Sequence, residues 1–223
     1  LTINITGTPA SSGTASFVIT VGGESCSLTV SVNIAAVACP NSITFDYKGA
    51  TVTYGVVQGA NYRCWLDRNL GAAQVATSMT DLLSYGDLFQ WGRGDDGHQN
   101  RNSSETTTQS SSNSPGHNLF INQINTMTFK DWRSPENTNL WQGVGGINNP
   151  CPSGWRVPTE AECNAERFSW ISNNAAGAFN SPLKLPLSGG RLNTGLDLEG
   201  IGGYLWTSTT SWAEHSRHLS YIG

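Results

Sequence analysis

Pro150-Cys151-Pro152-Ser153-Gly154-Trp155-Arg156-Val157-Pro158-Thr159-Glu160-Ala161-Glu162 places a cysteine, three prolines, a tryptophan and a helix start within thirteen positions. Thr159 and Glu162 have the spacing of a capping box. The threonine hydroxyl can accept from the amide at Glu162, and the Glu162 carboxylate can reach back to the Thr159 amide. Pro158 restricts Val157 to an extended conformation. The stretch therefore predicts an extended entry, a sharp stop, and a short amphipathic helix running to about Ile171, with Ala161, Ala165 and Phe168 on one face.

Upstream of this stretch the pattern is mostly β. Phe17, Ile19 and Val21 alternate with Ser16, Val18 and Thr20, Gly22-Gly23 supplies a turn, and Cys26, Leu28, Val30, Val32 and Ile34 alternate with small or polar residues. That period of two is the mark of half-buried antiparallel strands. Leu1, Ile3 and Ile5 repeat it, so residues 1–36 read as part of a β-sandwich within a longer precursor, its other half lying upstream or against the next domain. The join is expected near Ala35–Asn41. Beyond it, Ile43–Tyr47 and Val52–Val56, separated by Lys48-Gly49, read as a hairpin, and Tyr62–Leu66 as a further strand. Residues 95–118 are rich in Ser, Thr and Asn and predict a long surface loop with almost nothing to bury. Arg93-Gly94-Asp95, at the start of this region, is a chance match to an integrin-type tripeptide. Near the end, Tyr204–Ser208 and His218–Tyr221 should pair as strands around Ser211–His215.

Composition narrows the function. Charged residues make up 13% of the chain and the net charge is -4, which excludes the basic face that nucleic acid requires. No apolar run is long enough to span a membrane. Neither a Gly-x-Ser-x-Gly elbow nor a phosphate loop is present. Asp67, Asp87, Asp95, Asp96, Asp197 and Glu199 could serve calcium as oxygen ligands, but they form no EF-hand series. His215 and His218 are three apart on a predicted loop and strand, a poor arrangement for a metal. No cofactor is expected, calcium being the one ion with candidate ligands.

Four ordered motifs carry a resemblance. Cys151-Pro-x-Gly-Trp-Arg-Val-Pro-Thr-Glu-Ala-Glu162 stands with Cys64–Gly71 (CWLDRNLG), Tyr85–Arg93 (YGDLFQWGR) and Gly203–Thr209 (GYLWTST), spanning roughly 43–223. Together they resemble the Fibrobacter succinogenes major paralogous domain, found in secreted and surface proteins of Bacteroidota-type bacteria. The resemblance implies an α+β, C-type-lectin-like domain over 37–223, a scaffold shared with formylglycine-generating enzymes. Residues 1–36, a partial all-β, Ig-like segment, resemble repeats of large Bacteroidota surface adhesins. Formylglycine-generating enzymes use a late cysteine pair, and no cysteine follows Cys163, so that activity is not expected. The calcium-dependent lectin triplets, Glu-Pro-Asn and Gln-Pro-Asp, are absent as well.

The family likeness also bears on individual residues. It implies a ligand-facing surface on the 191–199 and 210–217 loops with 95–101 nearby, and expected contacts at Arg191, Asn193, Asp197, Glu199, Trp212, Glu214 and His215. Trp65, Trp91, Trp155 and Trp206 lie inside the motifs and are expected in the core, whereas Trp212 is the candidate exposed aromatic. Asp67 and Asp87, motif residues, are expected to hold turns. The five cysteines suggest disulfides in an exported protein, and Cys26–Cys39 and Cys64–Cys151 are the expected pairs. The second would contribute roughly 4–5 kcal/mol. Cys163 is expected as a buried thiol. Family members continue into a further strand, which the chain lacks at Gly223.

The function expected is a non-enzymatic adhesin or ligand-presenting tip outside the cell, exported by the type IX route. Its partners would be a glycan or surface protein of a host, prey cell or substratum, and neighbouring repeats of the same polypeptide. A structural stalk without ligand and a hypervariable receptor-binding protein are the alternatives.

Overall fold

The computed structural model describes residues 13–32, 38–122, 131–192, 195–211 and 215–223, the side chains of Ala15, Val21, Val32 and His215 excepted. The chain divides into two compact units, Leu1–Ala38 and Cys39–Gly223. The described residues build small, mainly antiparallel sheets with two short α-helices.

In the first unit, β1 (Gly13–Val21) and β2 (Glu24–Val32) form an antiparallel ribbon around Gly22-Gly23. The register opposes Phe17 to Leu28 and Ile19 to Cys26 on one face, and Ser16 to Thr29, Val18 to Ser27 and Thr20 to Ser25 on the other. One side is thus apolar and the other almost entirely hydroxyl-bearing, as strand alternation requires. Phe17, Leu28 and Val30 remain more than a third exposed within this unit.

The second unit opens with β3 (Ser42–Tyr47), β4 (Ala50–Gln58) and β5 (Cys64–Leu66), ordered β3-β4-β5. Lys48 and Gly49 both adopt positive φ, 53° and 77°, the backbone that a two-residue hairpin turn needs. The strand expected from Tyr62 starts later, at Cys64, because Ala60–Tyr62 coils into a 3-10 turn with Asn61 at φ 53°. The sheet brings Cys39 and Cys64 to the same end, on either side of Gln58, and they form the disulfide, with Cα atoms 5.5 Å apart. This corrects both expected pairings. Cys26 is an exposed free thiol, and Cys151 is a half-buried one in an irregular segment where burial pushes its pKa up to about 12. Cys163 is buried and free, as expected, and burial likewise pushes its pKa up to about 12.

The capping box forms as read. Thr159 Oγ1 accepts from Glu162 N at 3.3 Å, and Glu162 Oε2 accepts from Thr159 N at 2.9 Å, starting α1 (Glu160–Ser169). The face that α1 buries is not the expected one. Ala161 is exposed, and Phe168 and Ile171 are 77% and 97% exposed, whereas Cys163 and Glu166 are buried. The helix packs against the 60–62 turn and the C-terminal hairpin, so the inward positions are those aligned with these neighbours. Glu166 Oε2 accepts from Ala60 N at 2.7 Å, which makes a carboxylate, rather than an alkyl group, the joint between helix and turn.

The main core lies under α1 and α2 (Ala175–Asn180). It gathers Cys163, Trp170, Ala178, Leu183, Leu185, Leu187, Leu219 and Tyr221. A smaller cluster holds Ile121, Trp132 and Leu140. Short pairs β6 (Glu105–Thr106) with β7 (Phe120–Ile121), parallel, and β8 (Gly190–Leu192) with β9 (Gly195–Asp197), antiparallel, connect the irregular stretches. The last sheet is the hairpin β10 (Gly202–Ser211) and β11 (His215–Ile222), with a bulge between Trp206 and Thr210. No helix among the described residues is long and apolar enough to cross a membrane.

The tryptophans depart from expectation. Trp132, Trp141 and Trp170, outside the motifs, are 2%, 1% and 8% exposed, while the motif tryptophans Trp65, Trp91, Trp155 and Trp206 are only half-buried. Two of the latter tie segments together through their indole N–H, Trp91 to Thr207 O and Trp206 to Phe89 O, each at 2.8 Å.

Candidate functional site

The start of the expected solvated loop, and the motif residue Arg93 just before it, are deeply buried and polar. Arg93, His98 and Gln99 have no exposed surface. Arg93 donates to Asp96 Oδ2 at 2.7 Å, Gln90 Oε1 at 2.9 Å, and the carbonyls of Leu119 and His117 at 2.8 Å. Arg93-Gly94-Asp95 therefore offers no free guanidinium to a receptor. His98 Nδ1 lies 2.7 Å from Asp96 Oδ1, and His98 Nε2 accepts from Gln90 N at 3.0 Å. An amide donor at Nε2 fixes the proton on Nδ1, and burial holds the imidazole pKa below its usual value. Burial opposes ionisation of Asp96, but hydrogen bonds from His98 and Arg93 outweigh it and hold the carboxyl below its ordinary range. This His–Asp pair has the geometry of a general-base dyad, yet its outer nitrogen is already bonded to backbone. Its work is to fold residues 88–100.

Two further arginines staple the same region to the 186–200 segment. Arg191, on β8, donates to Ser103 Oγ and Ser103 O, each at 2.6 Å, and to Glu105 Oε1 at 2.9 Å, with its guanidinium 4.2 Å from the Phe120 ring centre. Arg101 donates to Ser188 O at 2.5 Å and pairs with Glu199 Oε1 at 2.6 Å. Of the expected contact residues, then, Arg191 and Glu199 are engaged internally. Asp197 pairs through its backbone with Gly190 and has a carboxylate that accepts no hydrogen bond from a described residue. Asn193, Trp212 and Glu214 lie outside the described residues, as does the side chain of His215, whose backbone opens β11. Asp67 accepts from Gly55 N at 3.0 Å, and Asp87 from Tyr47 Oη at 2.7 Å and Lys48 Nζ at 3.0 Å, so both hold turns, as expected. Among the described residues no group of three or more His, Cys, Asp or Glu could hold a metal ion.

One surface was missed by sequence reasoning. The β10–β11 register divides the hairpin into two faces. Gly203, Leu205, Leu219 and Tyr221 point into the core, and Gly202, Tyr204, Trp206, His218, Ser220 and Ile222 point away from it. His218 stands edge-to-face against both Tyr204 and Trp206, with ring centres 5.7 Å apart in each case. The alternation Tyr204-x-Trp206 was the available signal, but assigning Trp206 to the core concealed it.

No protein-family model matches this chain, and no curated protein or solved structure matches it either.

Proposed function

We propose that residues 37–223 form a Fibrobacter succinogenes major paralogous domain on a C-type-lectin-like scaffold, preceded by part of an Ig-like β repeat. In this reading the chain is a non-enzymatic, ligand-presenting part of a bacterial adhesin that works outside the cell. The observation that carries it is the engagement of Arg93, Arg101 and Arg191. Each guanidinium is tied into loop carbonyls or carboxylates, so long irregular stretches are held in one conformation and the charged groups that do so are not free for proton transfer. A scaffold of fixed loops suits recognition, where ordering costs are met before the ligand arrives. The Cys39–Cys64 disulfide supports an oxidising location. Partners would be a glycan or a surface protein of a host, prey cell or substratum, with neighbouring repeats packing on the apolar side of the β1–β2 ribbon.

The test is binding of the chain to an array of glycans and purified surface proteins, beside a Trp212→Ala, Asp197→Ala double variant. Binding by the wild type that the variant loses is the expected result. Retention by the variant would take the site off the 191–199 and 210–217 loops. Failure to bind anything would favour the structural-stalk alternative.

A further inference from the structure

Departures from local stability rules concentrate in the loop that joins β4 to β5, residues 59–63. Asn61 and Tyr62 are consecutive residues in the left-handed region, at φ 53° and 58°. Asparagine tolerates that backbone, but a bulky side chain is strained by it, and glycine at position 62 would relieve the strain. The clamp under the loop departs from the rules as well. A Cβ added to Gly59 would fall 2.5 Å from Glu166 Oε2 and 2.7 Å from Trp65 Nε1, so the loop rests directly on both side chains. Glu166 is buried. Its Oε2 accepts from Ala60 N, but its Oε1 and Trp65 Nε1 have no hydrogen-bond partner among the described residues. A buried carboxylate oxygen without a donor opposes folding.

Side-chain packing does not offset the strain. Tyr62 is 50% exposed, and it makes no ring contact or hydrogen bond through its side chain with a described residue. The backbone around it is nonetheless closed. Gly59 N donates to Arg63 O at 2.8 Å and Arg63 N to Ala60 O at 3.2 Å, and the next residue, Cys64, is bonded to Cys39. The loop thus holds a tyrosine and an arginine outward in one conformation, and strain of this kind persists where the strained group is used. Tyrosine and arginine are also the side chains that most often anchor protein interfaces, and a fixed backbone lowers the ordering cost of using them.

The charges narrow the partner. Glu162 Oε1 lies 3.6 Å from Arg63 Nε, with the Arg63 side chain 53% exposed and that of Glu162 15%. The Glu162 carboxylate is already taken by Thr159 N at 2.9 Å and by both Nη atoms of Arg156, at 2.6 and 2.9 Å. Glu166 is turned inward beneath the loop, and Glu160 faces Arg217 at 4.0 Å. The charge that the loop itself carries into solvent is therefore the Arg63 guanidinium, beside an aromatic ring. A carboxylate next to an apolar group complements that pair, whereas a nucleic acid would need a far broader basic face.

We infer that Tyr62 and Arg63 form a docking surface for a protein segment that carries Asp or Glu beside an apolar residue. The carboxylate bonds the Arg63 guanidinium, and the apolar residue packs on the Tyr62 ring. Neither residue belongs to the 191–199 or 210–217 loops, so this surface goes beyond the ligand-presenting site proposed above.

The experiment probes the chain with an array of short synthetic peptides of varied sequence, each made with Asp-Leu, Asn-Leu or Lys-Leu at its centre. The peptide held most strongly is then titrated in solution against wild type, Arg63→Gln and Tyr62→Gly. The expected result is retention by Asp-Leu peptides in preference to their Asn-Leu and Lys-Leu counterparts. Arg63→Gln should weaken binding roughly fivefold or more and erase the preference for Asp over Asn. Tyr62→Gly should weaken binding by a similar factor while its urea midpoint equals or exceeds that of wild type, because glycine releases the left-handed backbone. That combination separates a docking side chain from a structural one. A wild type with no preference for Asp over Asn would overturn the inference, as would variants that bind like wild type. A Tyr62→Gly midpoint below that of wild type would overturn it too, since the ring would then be holding the fold.

Discussion

At the scale of single residues, two neighbouring glycines of β10 show how little side-chain identity says without its surroundings. Gly202 and Gly203 are consecutive, yet a Cβ on Gly202 would approach Tyr204 no closer than 3.3 Å, whereas one on Gly203 would fall 2.2 Å from the Tyr221 ring. Tyr221 cannot yield. It is 6% exposed, packs edge-to-face on Trp170, and donates its hydroxyl to Pro186 O at 2.9 Å. Gly203→Ala should therefore destabilise the chain by about 2–3 kcal/mol, the cost of overpacking a filled core. Gly145→Ala, at an exposed glycine with open space around it, should change stability by no more than ~0.5 kcal/mol. Urea unfolding of the two variants checks both, and equal midpoints would remove the packing argument. The motif Gly203–Thr209 was visible in the sequence, but which of its residues faces the core was not. Alternation fixes that two faces exist, and only the partner strand and helices say which is covered.

At the scale of elements, α1 divides what is local from what is not. Its start was legible because a capping box is a contact among four consecutive residues. Its buried face was not, because Phe168 is apolar and yet points to solvent, while Glu166 is charged and points inward to meet Ala60 N. Apolar periodicity cannot anticipate a joint made by a carboxylate and a backbone amide 106 residues apart in sequence. The loop expected over 95–118 holds for residues 102–118, which are largely irregular and exposed or half-buried, but its start departs from expectation for the same reason. His98 and Gln99 read as solvated polar residues, and they are buried: His98 is paired with Asp96 Oδ1 and Gln90 N, and Gln99 accepts from Gly97 N through Oε1 and from Leu88 N through its carbonyl.

The cap also has a pH signature. Glu162 accepts from Thr159 N and pairs with Arg156 at 2.6 Å. Burial opposes its ionisation, but the hydrogen bonds and charge of Arg156 and the Thr159 amide prevail, and its pKa falls from 4.5 to about 2. A depressed carboxyl pKa contributes stability above the unfolded value of 4.5, and that contribution is lost as pH falls toward 2. Glu162→Gln should thus cost about 1–2 kcal/mol at neutral pH. Thermal melts of wild type and variant should converge between pH 4.5 and 2. A gap that persists unchanged at pH 2 would mean that the carboxylate's charge is not what holds the cap.

At the scale of the whole molecule, the cysteines were the least legible feature. Five cysteines allow many pairings, and strand order selected one that spacing did not suggest. Closing 25 residues of chain, the Cys39–Cys64 bridge should contribute roughly 3.5 kcal/mol by the chain-entropy relation. Guanidinium unfolding with and without reductant, repeated on a Cys39→Ser, Cys64→Ser variant, should show that loss in the wild type and no effect of reductant on the variant. A wild type indifferent to reductant would contradict it. The four sequence motifs did locate the segments that meet one another, since Trp91 reaches Thr207 and Trp206 reaches Phe89. Sequence order gave those segments, and the hydrogen-bonded contacts between them came from the structure.

The position of that bridge has a mechanical consequence. Cys39 is the first residue of the second unit, immediately after Ala38. Tension arriving along the chain from the first unit meets the sulfur bridge at once and passes across it to Cys64. The 25 residues of separation between the two cysteines, which include all of β3 and β4, are bypassed and cannot be pulled out while the bridge is intact. Under load the oxidised chain therefore yields less length than its reduced form, and the hairpin nearest the point of attachment is shielded from peeling.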